Sequence, residues 1–507
     1  MLTRLIAPLL LVSPALAQAS FQGLGTTDTK AWGISSDGRY VVGTVGNPTG
    51  PVFRWDAVGG LHTVTTLPIM AGFVQCATDG QHGCGTFINP ATNNQEAARW
   101  DNGGALQWLG GLSSQSGSSL SSAYGMDDSG TVIVGLGWVT GGQAHAFKWT
   151  LAGGMTDLGA SPGGYSSRAN GVSGNGAVVV GWDIGSPRKP VYWDSTGMHA
   201  LGNNILAGEG WAASHDGAVI TGIYNNQLFR WTQAGGMVQL GWLPGSSTQD
   251  LATGVDISAD GSAIVGLNGN PFAGTPYRAF LWRPEIGMVD LKDYLVAHGL
   301  AQVAGWQLQS ANAISADGTI VAGYGIDTGG GTQAWIATLP PPSSLSPFCD
   351  PGQAGVMACP CANPPSGAHR GCDNSAATGG ASITADGQPS LSNDTLVITT
   401  AGQRPSGTSI VLQGTTQIAG ASFGQGVRCV GGALKRLYVK SASGGSISAP
   451  QAGDPSISAR SAALGDPIAS GSSRHYMVYY RDPFVLGGCA ATATWNSTNS
   501  GSAQWTP

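Results

Sequence analysis

The chain is expected to be all-β: a seven-bladed β-propeller followed by a small disulfide-containing β-sandwich. Three observations predict this. A unit built around an Asp-Gly, Asn-Gly or, once, Ser-Gly turn recurs seven times, as AWGISSDGRYVVG at 31–43, ANGVSGNGAVVVG at 169–181 and ATGVDISADGSAIVG at 252–266 among others. Each copy is followed by an aromatic segment ending in tryptophan, at Trp55, Trp100, Trp149, Trp193, Trp231, Trp282 and Trp335, with spacings of 45, 49, 44, 38, 51 and 53 residues. The composition also suits short strands and tight turns: 81 glycines and 10% charged residues argue against long helices, whose interiors glycine weakens.

One unit holds four short strands. They are the residues before the turn, the Val/Ile run after it, the aromatic segment, and a GGM…LG segment such as 153–159 or 235–241. The Asp-Gly and Asn-Gly pairs tolerate positive φ and so favour tight turns. A single unit of this size has difficulty burying both its faces. A radial array lets each sheet pack on the next, with the repeated tryptophan and Val/Ile side chains filling the layers between them. In the stretch AVVVGWDIGSPRKPVYW, 177–193, the Val run reads as the second strand, Gly181 as its exit, and VYW as the third strand. The seventh unit has no GGM…LG segment, whereas FQGLG at 21–25 precedes the first unit; these residues are expected to close the ring as the missing outermost strand.

Residues 1–19 read as a secretory signal, with Arg4, an apolar run too short to span a bilayer, and small-residue cleavage sites after Ala17 or Ala19. The propeller then covers 20–339. A Pro/Ser-rich stretch at 340–347 reads as a linker, and 348–507 as a cysteine-rich β-sandwich with runs such as DTLVITTAG, TSIVLQGTTQIAG and RHYMVYYRD. The protein is expected to be secreted or cell-surface associated, without a transmembrane segment, and monomeric. The net charge of -6 with 22 Lys and Arg gives no grip on a phosphate backbone, so nucleic acid is not expected as a partner.

Cysteine usage fits export. Cys76 and Cys84 lie eight positions apart in one degraded unit and are expected to clip a hairpin. Cys349, Cys359, Cys361, Cys372, Cys429 and Cys489 allow three bridges whose pairing the sequence leaves open. The Cys359-Pro360-Cys361 spacing is not C-x-x-C and no histidine cluster accompanies it, so neither metal nor another cofactor is expected.

The search for chemistry gives no catalytic set. The three glutamates, Glu96, Glu209 and Glu285, are scattered. Asp37, Asp79, Asp216, Asp260 and Asp317 occupy the recurring turn position, where the side chain caps local amides. Asp127, Asp128 or Asp256 could supply one member of a carboxylate pair on a propeller face, but the convergence such a pair needs is spatial. His62, His145, His199 and His215 sit at variable repeat positions, and no nucleophile elbow, phosphate loop or dinucleotide fingerprint occurs. Trp138, Trp182 and Trp242 fall outside the repeated tryptophan position and are the candidates for an exposed ligand surface.

The AFxW strands with their preceding AxxISxDGxxVVG segments resemble the HAF-type extracellular repeats of secreted bacterial proteins. His145-Ala146-Phe147 is the one literal HAF triplet, against Arg278-Ala279-Phe280 and Pro190-Val191-Tyr192 elsewhere. The resemblance covers about residues 21–340 and implies an exported repeat domain, not a catalyst. The FC…ACPCAN…GCDNS opening, the LVITTAG and VLQGTTQ strands, GVRCVGG and the closing TATWN…QWTP resemble cysteine-rich C-terminal domains on secreted proteins of planctomycete-like and myxobacterial-like bacteria. Two functions remain: a non-enzymatic binding or surface-associated scaffold for an extracellular glycan, protein or matrix component, and a secreted hydrolase or lyase acting on a polymer through a propeller face. Fold alone does not choose between them.

Overall fold

A computed structural model describes residues 19–507, apart from 26–27, 47–49, 102–103, 113–118, 163–164, 186, 203–204 and 340–343. Residues 1–18 of the expected signal therefore lie outside the described residues, as does half of the expected linker. Among the described residues are seven four-stranded antiparallel sheets, each one sequence repeat. In blade one the strands are Thr29–Ile34, Tyr40–Val45, Pro51–Asp56 and Gly60–Pro68, numbered first to fourth from the inside outwards. The first strands of the other blades are Ala71–Cys76, Ser121–Met126, Ser167–Val172, Gly208–Ala213, Leu251–Ile257 and Gln307–Ile314. Each of the seven touches the first strand of both neighbouring blades, so the ring is closed. Ser20–Leu24 supplies the fourth strand of blade seven, pairing antiparallel with Thr332–Thr338 from Ser20 opposite Thr338 to Leu24 opposite Ala334.

The turn chemistry is repeated with its hydrogen bonds. Ser35 Oγ donates to Asp37 Oδ1 at 2.7 Å and accepts from Tyr40 N, while Asp37 accepts from Arg39 N. The same Ser-x-Asp pattern occurs at Ser214/Asp216, Ser258/Asp260 and Ser315/Asp317, and in Asn form at Ser173/Asn175. The next residue is glycine in all seven blades, with φ between +61° at Gly80 and +76° at Gly217. The aspartates are thus spent on holding a left-handed turn.

A second glycine has a steric cause. A Cβ on Gly43, Gly135, Gly181, Gly222, Gly266 or Gly323 would stand 1.9–2.1 Å from a carbonyl oxygen of its own blade's first strand. Gly181 therefore lies inside the strand Val179–Asp183 and is not its exit; the closeness of the neighbouring backbone, not a turn, selects glycine there. Gly266→Ala should lower the propeller's unfolding free energy by about 3 kcal/mol, seen as an earlier midpoint in denaturant melts. Gly367→Ala, where a Cβ meets nothing within 4 Å, should be silent.

Seven buried apolar clusters fill the seven junctions between neighbouring blades. Trp55, Trp100, Trp149 and Trp193 are buried in them and Trp231 and Trp282 half-buried, each opposite the equivalent residue of the second strand. Burying such a ring contributes about 2–3 kcal/mol. Trp335 departs from the pattern. It pairs with Gly323, the register held by Phe53 and Phe147 in their blades, so blade seven carries its large ring one inward-facing position early. The basic residue before the tryptophan is also structural: Arg54, Arg99, Lys148 and Arg230 each donate to the carbonyl of the turn glycine in the next blade, Gly80, Gly130, Gly176 and Gly261.

The expected Cys76–Cys84 clip is not formed; both thiols are free and buried. In the hairpin Cys76 pairs with Gly83 and Cys84 with Gln75, so the two cysteines lie on opposite faces of the sheet, one in the junction between blades one and two and one in the next. Burial pushes the Cys84 thiol up to about 12 and Cys76 higher still. The native protein should therefore release no colour from a thiol-reactive disulfide reagent, and two equivalents after denaturation without reductant.

The C-terminal unit is a disulfide-bonded β-sandwich. A five-stranded sheet (Ser346–Phe348, Trp495–Gln504, Ser473–Arg481, Ser406–Gly414 and Lys435–Ser443, in spatial order) packs against Ser382–Asp386, Val397–Ala401 and Ser448–Ala449. Tyr476, Val478 and Trp505 fill the layer between them, and the hairpin Thr416–Phe423/Gly426–Gly431 covers the other face. Ser346 and Pro347, expected in the linker, pair with Ser502 and Gly501 instead; an edge strand accommodates the proline. The bridges are Cys349–Cys429, Cys359–Cys372 and Cys361–Cys489.

Candidate functional site in the axial channel

Antiparallel connection sorts the loops into two faces. Turns between first and second strands, with their aspartates, lie on one face; hairpins between second and third strands and the connections between blades lie on the other. The inner strands run between these faces and line the axis.

Near the connector face, residues two apart on an inner strand share the axial side. Arg168 and Asn170 do so in blade four, Glu209 and Trp211 in blade five. Arg168 Nη2 donates to Glu209 Oε2 at 3.2 Å, and Arg188 Nη1 donates to Glu209 Oε1. The Arg168 guanidinium lies 4.7 Å from the Tyr124 ring, 5.3 Å from Trp182 and 6.0 Å from Trp211, and Arg188 covers Trp182 at 4.4 Å. Deeper in, aromatic rings from opposite sides of the channel meet. Phe73 of blade two is 5.5 Å from Trp32, 5.9 Å from Tyr124 and 5.8 Å from Trp211 of blade five, forming an aromatic septum.

Amides stitch adjoining inner strands around it. Gln75 Nε2 donates to Trp32 O, Asn170 Nδ2 to Gly210 O, and Asn312 Nδ2 to Ala31 O. On the aspartate-turn side of the septum is a cavity of about 100 Å³ bordered by these rings, Met126 and Asp256. Asp256 accepts from Ile257 N and Ile314 N, and part of its surface faces the cavity. Burial, reinforced by the nearby Asp128, raises its carboxyl to about 7. At the mouth, Ser36 Oγ donates to Asp128 Oδ1 and His215 Nδ1 lies 2.9 Å from Asp128 Oδ2, so side chains from blades one, three and five form a bar. Backbone bonds from Ala316 N to Ser36 O, Ala259 N to Ala316 O and His215 N to Ala259 O tie the turns beneath it.

The raised Asp256 sets a pH dependence. The folded state holds its proton up to about pH 7, the unfolded state only to about 3.8, so this contribution to stability is full below pH 4 and lost as pH rises through 7. Thermal midpoints should fall between pH 5 and pH 8, and Asp256→Asn should flatten that segment. A group titrating there could exchange protons at neutrality. Asp128, its nearest carboxylate partner, has both oxygens engaged.

The three candidate tryptophans all reach the connector side but do not form one surface. Trp138 is exposed. Trp182 is 7% exposed and held between two guanidiniums, so it is not the open platform expected; its strand position points it between blades, where Arg168 and Arg188 cover it. Trp242 is half-buried, and its indole N–H is shared between Asn226 O and Asp250 O. His145 and His199 pair with Asp157 and Asp194. Among the described residues no three His, Cys, Asp or Glu side chains gather as for a metal ion, and no helix is long and apolar enough to cross a membrane. Arg168, Phe73 and the channel role of Glu209 were not foreseen. Charges at inner-strand starts, rare in a chain with 10% charged residues, were the available signal.

No protein-family model matches the chain, and no curated protein is similar to it in sequence. Among solved structures it is similar to an oligogalacturonate lyase from Vibrio parahaemolyticus, at 11% identity and a TM-score of 0.42 over 64% of this chain and 97% of that one. It is also similar to TolB from Acinetobacter baumannii, at 13% identity and 0.34 over 59% and 80%. The propeller domain of the Trilobed protease from Pyrococcus furiosus gives 13% identity and 0.38 over 52% and 81%. Nothing about activity follows from likenesses this remote.

Proposed function

We propose that the protein is an exported binding module that holds an extracellular glycan, in the manner of a surface-associated scaffold, through the connector face of its propeller. One observation carries this reading. The exposed aromatic side chains of the propeller, Trp138, Tyr165 and Phe272, all belong to the hairpins or interblade connections of that face. Aromatic rings stack on the apolar faces of sugars, and the weakly charged surface suits a neutral polymer. The leader-like residues 1–19 and the resemblance to HAF-type repeats and to cysteine-rich C-terminal domains of secreted bacterial proteins support export. Retention of the full chain on immobilised polysaccharides tests the reading. The wild type should be retarded by at least one neutral glycan, and Trp138→Ala/Tyr165→Ala/Phe272→Ala should abolish the retardation with an unchanged melting curve. Equal retardation of the two proteins, or none by any glycan, overturns it.

A further inference from the structure

The opposite side of the septum has its own chemistry. The cavity there has Trp32, Phe73, Tyr124 and Trp211 on its border, and Asp256 is the one charged side chain among its described lining residues. The amide donors of Gln75, Asn170 and Asn312 already serve neighbouring carbonyls, which leaves the lining poor in groups for an anion. Aromatic faces beside a carboxylate attract a positive charge whose own shell is apolar, because ring quadrupole and carboxylate act together where water is scarce. Tyr124 and Trp211 already hold the Arg168 guanidinium in this way from the connector side.

From this we infer that the axial cavity binds a free small alkylammonium compound, its cationic head among the septum rings and against the Asp256 carboxylate. The size of the cavity and the bar of Ser36, Asp128 and His215 across its mouth favour a free molecule over a chain end of a macromolecule. The buried Trp211 indole N–H, which has no partner, is a donor for a hydroxyl oxygen on the same ligand. This site is separate from the connector face and does not depend on polymer binding there.

Titration calorimetry of the full chain at pH 8.5, above the raised Asp256 carboxyl so that the group is ionised, with choline and with its uncharged carbon isostere 3,3-dimethylbutan-1-ol, decides the matter. Choline should bind with one site per chain and the isostere at least about tenfold more weakly. Asp256→Asn, nearly isosteric, should weaken choline by about tenfold or more while leaving the isostere unchanged. Trp211→Leu should weaken both. Because the isostere is compared on the wild type, a misfolded variant cannot decide the result. Absence of choline binding, equal binding of the isostere, or an Asp256→Asn protein that binds choline as the wild type does would each overturn the inference. Preference for an Nε-trimethyl-lysine peptide over choline would overturn the free-molecule assignment.

Discussion

Leu24→Asp is expected to open the propeller. Leu24 ends the strand that closes blade seven and is fully buried among Ala31, Phe53, Trp55 and Ala334, in the junction between the last blade and the first. A carboxylate there would lose its hydration and meet no described cation among those neighbours, a change that costs about 3–5 kcal/mol. The damage would not stay local. Without Ser20–Leu24, the strand Thr332–Thr338 has no partner on its outer side and becomes an exposed edge, a template for association with other chains. The variant should therefore unfold at lower denaturant concentration and show larger species by light scattering. Ser20→Ala, which removes only an exposed hydroxyl bond to Thr338, should change stability by less than about 0.5 kcal/mol. If Leu24→Asp left the midpoint where it was, closure by the N-terminal strand would not be what holds the ring.

That closing strand was legible in the sequence because it combined a surplus before the first repeat with a deficit in the last. The four-strand unit, the turn aspartates and six of the seven tryptophan positions were legible for a related reason: a repeat tests each reading several times along one chain. Departures from the repeat were not legible. Trp335 sits in a different register from its apparent equivalents, which spacing alone hides. Cys76 and Cys84 have a hairpin's separation, but strand alternation sets them on opposite faces. Gly181 looked like punctuation and is a contact with the carbonyl of Arg168.

The channel was the least legible part, since its contents come from side chains hundreds of residues apart. Phe73 reaches Trp211 because the first strand of blade two breaks register between Ala71 and Gln75, in a degraded repeat that no other copy predicts. Asp256 follows a register shift that is itself part of the repeat, as at Ala31/Gly33, Ala123/Gly125 and Gly210/Ala212, but stands where those copies have glycine or alanine; both its oxygens take backbone amides, one from blade seven. An irregular strand in blade two and a carboxylate at a small-residue position in blade six thus each put into the channel a side chain that the regular pattern does not predict.

Reduction of the three disulfides should unfold the C-terminal sandwich and leave the propeller standing. The bridges Cys349–Cys429, Cys359–Cys372 and Cys361–Cys489 close sequence separations of 80, 13 and 128 residues, and each should contribute about 3–5 kcal/mol through the unfolded chain it constrains. They also hold what the strands do not. The segment between Cys349 and Ser382 contains no regular strand, and its buried parts are Cys361, Cys372 and polar groups such as Asn363 and Asn374, bonded to Asp373 O, Gln425 O and Gly402 O. Those bonds depend on the segment being pinned in place. The propeller has no bridge to lose, because its two cysteines are free and lie in separate junctions. Calorimetry in excess reductant should accordingly shift or abolish one transition, assigned to the sandwich by loss of protection of 348–507 in limited proteolysis. The transition belonging to 20–339 should keep its temperature, its unfolding free energy changing by less than about 0.5 kcal/mol. A fall of both transitions together would show that the propeller leans on the sandwich for its stability, and a fall of neither would show that the strands hold the sandwich without its bridges.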